Sequence, residues 1–287
     1  MLRVVPSRPY AVRATAPVRV ADVGGWTDTW FGGPGRVCHL AVGPGVEVRA
    51  RRTNRTGGAP SVVLESTALD PPVTVTQTAD GRWAGGSSVR HLMLEEAVCE
   101  VLEGVPADEV GRVEVVIGSQ VPPGASLGTS AAVVVSLLAA LDTLLAGGRR
   151  TPEELAVLAH RVETVRARRE AGVQDQWAAA VGGASLLEVD PYPTVRRTPI
   201  PLSDAVVAEL GQRLVTVVFA PHDSSAVHRE VIGAHCPRRW LDTRRGVTRA
   251  SRDRRAGPDG VGRAPRCRHR PMGRVAAGMH QLAAGAS

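Results

Sequence analysis

Apolar and polar residues alternate along PVRVADV (17–23) and VEVRARR (46–52), the period-two spacing of half-buried strands. SVVLES (61–66) and PVTVTQT (72–78) read the same way, and TADGRWAGG (78–86) reads as a turn tightened at Asp80-Gly81. RVEVVIG (112–118), GASLLEV (183–189) and RLVTVVFA (213–220) complete the expected strands. The period changes over residues 88–103, where Leu92, Ala97, Val98, Val101 and Leu102 fall near one helical face. Residues 129–145 are almost wholly apolar and predict a central, buried helix. A further helix is expected over 151–170, with Thr151 as N-cap, Pro152 in the first position and Glu154 closing a capping box. No internal repeat is visible, and strands and helices mix without a βαβ rhythm, so the expected class is α+β.

Between the strand at 112–118 and the apolar helix lies VPPGASLGTSAA (121–132), whose glycines exceed what a turn needs. Gly124 and Gly128 can take positive φ and present N–H groups with no side chain in the way. The helix beginning near Thr129 adds unpaired N–H donors and roughly half a positive charge. Thr129 and Ser130 supply hydroxyls for a phosphate oxygen or a magnesium ion. The plainer reading is a flexible loop with a hydroxyl capping a core helix. The stretch lacks the Gly-Lys-Ser/Thr of a Walker loop and the βαβ setting of a dinucleotide loop.

Composition narrows the classes. At 287 residues and 43% hydrophobic, the chain can build a packed core and is not a disordered one. No charge-free apolar run reaches the ~18–20 residues of a membrane span, and MLRVVPSRPYAVRATAP lacks a secretory core, so no membrane role is expected. Cys38, Cys99, Cys236 and Cys267 have neither zinc nor disulfide spacing, which suits a reducing cytoplasm. The net charge of +7 comes from the end of the chain. Residues 236–287 hold 13 of the 35 basic residues and 3 of the 28 acids, leaving 22 against 25 elsewhere. Every basic residue is arginine.

Three segments in order carry a family resemblance. PPGASLGTSAA (122–132) resembles the nucleotide loop of the GHMP kinases, the superfamily of galactokinase, homoserine kinase and mevalonate kinase. APVRVADVGGWTDT (16–29) is similar to their N-terminal substrate motif in its fucokinase-like and heptose-phosphate-kinase-like form. GVQDQWAAAVGG (172–183) is similar to the segment that holds the catalytic aspartate, and PHDSSAVHREVI (221–232) to one further sugar-kinase segment. The resemblance covers about residues 14–233 and implies ATP-dependent phosphorylation of a sugar or sugar-phosphate hydroxyl. It assigns Pro123, Gly124, Ala125, Ser126, Leu127, Gly128, Thr129 and Ser130 to the ATP phosphates, and Ser130 with Glu163 to magnesium. Asp175 accepts or orients the proton of the attacking hydroxyl, and Arg19 stabilises charge beside it. Gly25, Asp28, Gln174 and Ser225 fall to the sugar.

Each assignment has a rival. Asp175 could cap the helix that follows, Glu163 could pair on a surface with Arg161, Arg166 or Arg168, Asp28 could be a turn residue, and Arg19 could face solvent. Ser224, Ser225 and His228 could do no more than start a helix. Trp26, Trp30 and Trp177 could stack on a sugar or simply pack, and His39, His91 and His160 read as structural. An inactive nucleotide- or sugar-binding remnant, or a nucleic-acid-associated protein acting through its tail, are the other function classes; nucleic acid is disfavoured because the tail has one aromatic, Trp240, and no RNA-binding module.

The resemblance implies two domains: residues 1–190, the start of a C-terminal domain at 191–235, and an arginine-rich tail at 236–287. The family's second glycine-rich segment is not found, and after Ala234 hydrophobic periodicity vanishes. A shift of reading frame near residue 235 accounts for such text in an arginine-only chain, and it leaves the C-terminal domain incomplete, solubility poor and activity weak or absent. Resequencing the locus and translating the other frames tests this. A glycine-rich motif downstream of residue 235 in another frame is the expected result, and its absence from every frame defeats the idea.

Overall fold

The computed structural model describes residues 10–53, 59–86, 91–122 and 124–217. Eight strands form one sheet: β1 (Ala11–Val23), β2 (Gly35–Thr53), β3 (Ser61–Ser66), β4 (Leu69–Gln77), β5 (Trp83–Gly85), β6 (Arg112–Ser119), β7 (Ala184–Val189) and β8 (Val195–Ile200). The order is β5-β4-β3-β6-β2-β7-β8, with β1 paired to β2. Among the described residues only the β3–β6 pairing is parallel. β2 is the spine, antiparallel to β1 along both its halves, to β7 through Gly35–Leu40 and to β6 through Val46–Thr53.

The helices are α1 (Leu92–Leu102), α2 (Ala107–Val110), α3 (Thr129–Leu141), α4 (Pro152–Arg161), α5 (Gln174–Val181) and α6 (Asp204–Arg213). Alternation along the strands sorts the sheet into two faces. Ala16, Val18, Val46, Val48, Val113 and Val115 turn inward and bury against α1 and α3. The other face carries arginine–glutamate pairs: Arg13 and Arg49 on Glu47, Arg51 on Glu114, Arg36 on Glu188. The core is densest along α3, where Leu137, Leu138 and Leu141 are fully buried. The segment Thr129–Ala146 is long and apolar enough to span a membrane by composition, yet 67% of it is buried within the protein. It is the core helix that the apolar run predicts, carried five residues further by a π-helical turn, Asp142–Ala146.

Several boundaries differ from the sequence expectation. β2 starts at Gly35 rather than 46, because VCHLAV pairs with β1 on one side and β7 on the other. The expected loop at 78–86 is a hairpin: Gly81 has φ 81°, the Thr78 and Arg82 backbones bond at 2.7 Å, and Trp83–Gly85 pairs with β4. The helix expected at 151–170 becomes α4, a π-helical turn at Val162–Arg166 and irregular chain beyond; its Thr151 capping box is present, with both reciprocal bonds. The strand expected at 213–220 is corrected. Arg213 ends α6, whose Ser203 side chain caps it, and Leu214–Val217 have no strand partner; the rest of that stretch lies outside the described residues. Val215 and Val217 are 80% and 67% exposed, so among the described residues their alternation has no neighbouring strand to complete. β8 pairs with β7, so the sheet continues past residue 190. The division expected at 235–236 and the tail lie outside the described residues.

Leu138 has no solvent exposure and sits mid-way along the central helix. Leu138→Ala is expected to lower unfolding free energy by about 2–5 kcal/mol, measured as a fall in the denaturant midpoint.

Candidate functional site

The glycine-rich segment, β1 and α5 meet at one arginine. Arg19 lies on β1 opposite Ala41 of β2, and its backbone N–H donates to the Leu127 carbonyl at 3.0 Å. Its side chain donates from Nη1 to the Ser126 carbonyl at 2.7 Å and from Nε to Asp175 Oδ1 at 2.8 Å. Arg19 is therefore turned inward, with its side chain 18% exposed, and not toward solvent. Asp175 is the second residue of α5; the cap position is Val173 and no side-chain cap bond is present, so the carboxylate is not spent on closing its own helix.

Gly128 explains how loop and acid come so close. It holds φ 74° at the N-cap of α3, and a Cβ there would sit 3.3 Å from both Cγ and Oδ2 of Asp175 and 3.5 Å from Arg19 Cγ. A side chain would press on the ion pair, and an L-residue resists that backbone geometry in any case. Neither Thr129 nor Ser130 caps α3, since its N-cap makes no side-chain bond. Ser130 is exposed, whereas Thr129 Oγ1 is buried without a hydrogen-bond partner. Ser126 and Gly124 also hold positive φ, so the loop turns its backbone repeatedly. Pro123 lies outside the described residues.

Two further carboxyl groups flank Asp175. Asp28 sits in the turn after β1 but is buried, and Oδ2 accepts the Gln174 backbone N–H at 2.9 Å. A Cβ on Gly172 would lie 2.0 Å from that oxygen, so the approach requires glycine. Burial pushes the Asp28 carboxyl up to about 6; the Gln174 N–H opposes this and the Asp175 charge adds to it. Gly25 is exposed at φ 54° in the same turn. Gln174 is buried and donates its side-chain amide to the Cys38 carbonyl of β2 at 3.3 Å.

Glu163 stands on the π-helical turn that ends α4, a local widening frequent at functional sites. It is buried and accepts from Gln176 Nε2 at 2.7 Å, so the surface-pair reading fails. Arg166 goes instead to Glu96, Glu100 and Glu103, and Arg161 to Glu100. Burial raises Glu163 to about 7, the Asp175 charge raises it further, and Gln176 and Arg169 oppose. Among the described residues no three His, Cys, Asp or Glu side chains converge as a metal cluster.

Sequence reasoning read His39 as structural and did not single out Gln176; the structure places both beside the site. His39 pairs with Ala21 of β1, two residues from Arg19, so both share the sheet face beneath α5. Burial, Arg19 and Arg197 hold its imidazole down at about 4, against the Asp175 charge, and neither ring nitrogen has a partner. Only the register of β2 reveals this, and that half of β2 was not legible. Gln176, next to the acid, is 1% exposed. Elsewhere the structural readings hold: Trp177 packs in a small core with Val37 and Leu187, and His160 bonds the Tyr192 hydroxyl at 2.7 Å. Trp30 meets Phe31 edge-on at 5.3 Å and bonds Glu170. Ser224, Ser225 and His228 lie outside the described residues.

Residues 92–183 match the family described as GHMP kinases N terminal domain. The mevalonate kinase of Thermococcus sibiricus is 41% identical over 90 residues, which cover 31% of this chain and 26% of that protein. That of Pyrococcus furiosus is 39% identical over 90 residues, with the same coverage of each. The chain thus spans about a quarter of the length of these relatives. Among solved structures, a D-glycero-D-manno-heptose 1-phosphate kinase from Bacteriodes thetaiotaomicron is 20% identical, with TM-score 0.56 over 69% of this chain and 62% of that one. Lactococcus lactis galactokinase complexed with galactose is 19% identical, with TM-score 0.53 over 69% and 49%. These likenesses show the α+β fold of the GHMP kinases.

The raised carboxyl of Asp28 has a definite sign in stability. Its native pKa of about 6 exceeds the ordinary 3.8, so the native state binds the extra proton between those values. That stability is present in full below about pH 4 and is lost as pH rises through 6. Asp28→Asn keeps an acceptor for the Gln174 N–H and removes the titration. Relative to wild type it should gain on the order of 2 kcal/mol in unfolding free energy between pH 4 and pH 7, measured by denaturant titration at each pH.

Proposed function

We propose that this chain, which carries a GHMP kinase N-terminal domain over residues 92–183, contributes the nucleotide and acceptor sites of an ATP-dependent kinase for a sugar or sugar phosphate. The observation that carries the reading is the contact of Asp175 with both Arg19 and the Gly128 position of the loop. A triphosphate held on the loop amides from Gly124 to Ser130 at the start of α3 would end beside a carboxylate. Phosphoryl transfer asks for little else than position and charge balance.

In this reading the loop amides and the N-terminus of α3 take the phosphate oxygens. Asp175 would accept the proton of the acceptor hydroxyl as its oxygen attacks the γ-phosphorus and the bond to the β–γ bridging oxygen breaks to release ADP; Arg19 would fix the Asp175 rotamer and offset charge on the transferred group. Gly25, Asp28 and the Gln174 segment form the acceptor side, with Asp28 taking hydrogen bonds from sugar hydroxyls. Mevalonate, named by the curated relatives, brings a carboxylate of its own. Beside Asp28 and Asp175 a neutral sugar is a less costly acceptor than mevalonate; a sugar phosphate fits only with its phosphate held away from these two carboxyl groups.

The residues fit a magnesium ion. The Asp175 charge acts on both Asp28 and Glu163, and Arg19 is already paired with Asp175, so a polyphosphate bound here would call for added positive charge. The Ser130 hydroxyl and the Glu163 carboxylate are the oxygen donors that would hold it, the remaining positions going to phosphates and water. When bound, the ion neutralises charge on the β- and γ-phosphates.

Asp175→Asn is the direct test. Turnover, read as ADP release across a panel of sugars and sugar phosphates with mevalonate included, should fall at least about 10²-fold while ATP affinity stays within a few-fold. A variant that turns over normally, or a wild-type chain that phosphorylates mevalonate and no sugar, contradicts the assignment.

A further inference from the structure

We infer that Gln176 is the positioning residue for the Glu163 carboxylate, and that it tunes how tightly the site holds a divalent cation. The inference rests on the kinase reading of the site and deepens it. Gln176 follows Asp175 directly in the first turns of α5, and consecutive helical residues point about 100° apart. Asp175 faces β1 and the nucleotide loop through Arg19 and Gly128, while Gln176 faces the end of α4. One short helix therefore sets both the acid and the partner of the proposed metal carboxylate.

The bond is built, not incidental. Gln176 is 1% exposed and Glu163 is 9% exposed, and Nε2 donates to Oε2 at 2.7 Å. Among the described residues no arginine forms an ion pair with Glu163, although the Arg169 charge acts on it. The amide thus occupies Oε2, fixes the plane of the carboxylate, and leaves Oε1 as the oxygen for a cation. An amide suits this place because it orients the carboxylate while adding no charge that would compete with a cation; an arginine would neutralise the ligand. Gln176 Oε1 is buried without a partner, a cost that a residue serving only to fill space would avoid. The carboxylate stands on a π-helical turn, Val162–Arg166, and takes its donor from another element, α5.

The experiment is Mn²⁺ binding to the full chain in the presence of ADP, followed by electron paramagnetic resonance, for wild type, Gln176→Met and Gln176→Asn. Methionine keeps the volume and removes the donor; asparagine keeps the donor one methylene short. Outer partners of metal ligands are worth about 10–100-fold in affinity. Gln176→Met should bind Mn²⁺ at least about tenfold more weakly, with metal-free ADP affinity unchanged, and Gln176→Asn should fall between it and wild type. Should the methionine chain not fold, the asparagine chain alone must still show weakened Mn²⁺ binding at unchanged metal-free ADP affinity. Equal Mn²⁺ affinity in wild type and the folded variants overturns this inference and leaves the kinase reading intact. Absence of ADP-dependent Mn²⁺ binding in wild type removes the kinase reading itself, and this inference with it.

Discussion

Arg19 ties together three parts of the chain that are far apart in sequence. Its amide holds the Leu127 carbonyl, one guanidinium nitrogen holds the Ser126 carbonyl, and another holds Asp175. The ion pair is partly shielded, with Arg19 at 18% and Asp175 at 33% side-chain exposure. Its importance lies less in net energy than in registry, since a partly buried pair gains little overall but penalises any arrangement that separates its members. With Arg19 in place, the loop before α3 cannot drift from β1, and α5 cannot rotate its acid away from the loop. The bare Gly128 then sets how near the two may come.

Around that tie the site gathers three carboxyl groups, Asp28, Glu163 and Asp175. Asp28 and Glu163 are both buried, both raised by burial and both raised further by Asp175. A fold maintains such a cluster at a cost, which points to a role beyond packing. The neutral imidazole of His39 on the sheet below adds no compensating charge, because burial and two arginines hold its pKa at about 4. Arg19 pairs with Asp175 and Arg169 acts on Glu163; in the proposed reading the metal of a metal-bound polyphosphate would add further positive charge.

Much of this was legible in the sequence, and the reasons are local. The Thr151 box, the apolar run of α3 and the alternation in β6 each encode their structure within a few residues. That Arg19, Asp28 and Asp175 belong to one neighbourhood was suggested only by the order of short motifs, and Glu163 only by the resemblance as a whole, because a single acid on a helix looks the same whether it caps, pairs or reacts. What stayed hidden depends on pairing across distance. The first half of β2 reads as loop until β7 arrives, and with it go His39 and the carbonyl that Gln174 bonds. Gln176 reads as an ordinary helix residue until the π-helical turn brings Glu163 to it. The expected strand's described part, residues 213–217, is the converse case: VTV alternates, but among the described residues no neighbour offers it strand hydrogen bonds.

The most direct measurement is a crystal structure of the protein with a non-hydrolysable ATP analogue and magnesium. The account requires the triphosphate on the amides of Gly124–Ser130, with its terminal phosphorus facing Asp175 across a gap that admits one hydroxyl, roughly 3–3.5 Å from each. A triphosphate bound elsewhere on the chain, or one whose terminal phosphate points away from that carboxylate, contradicts it.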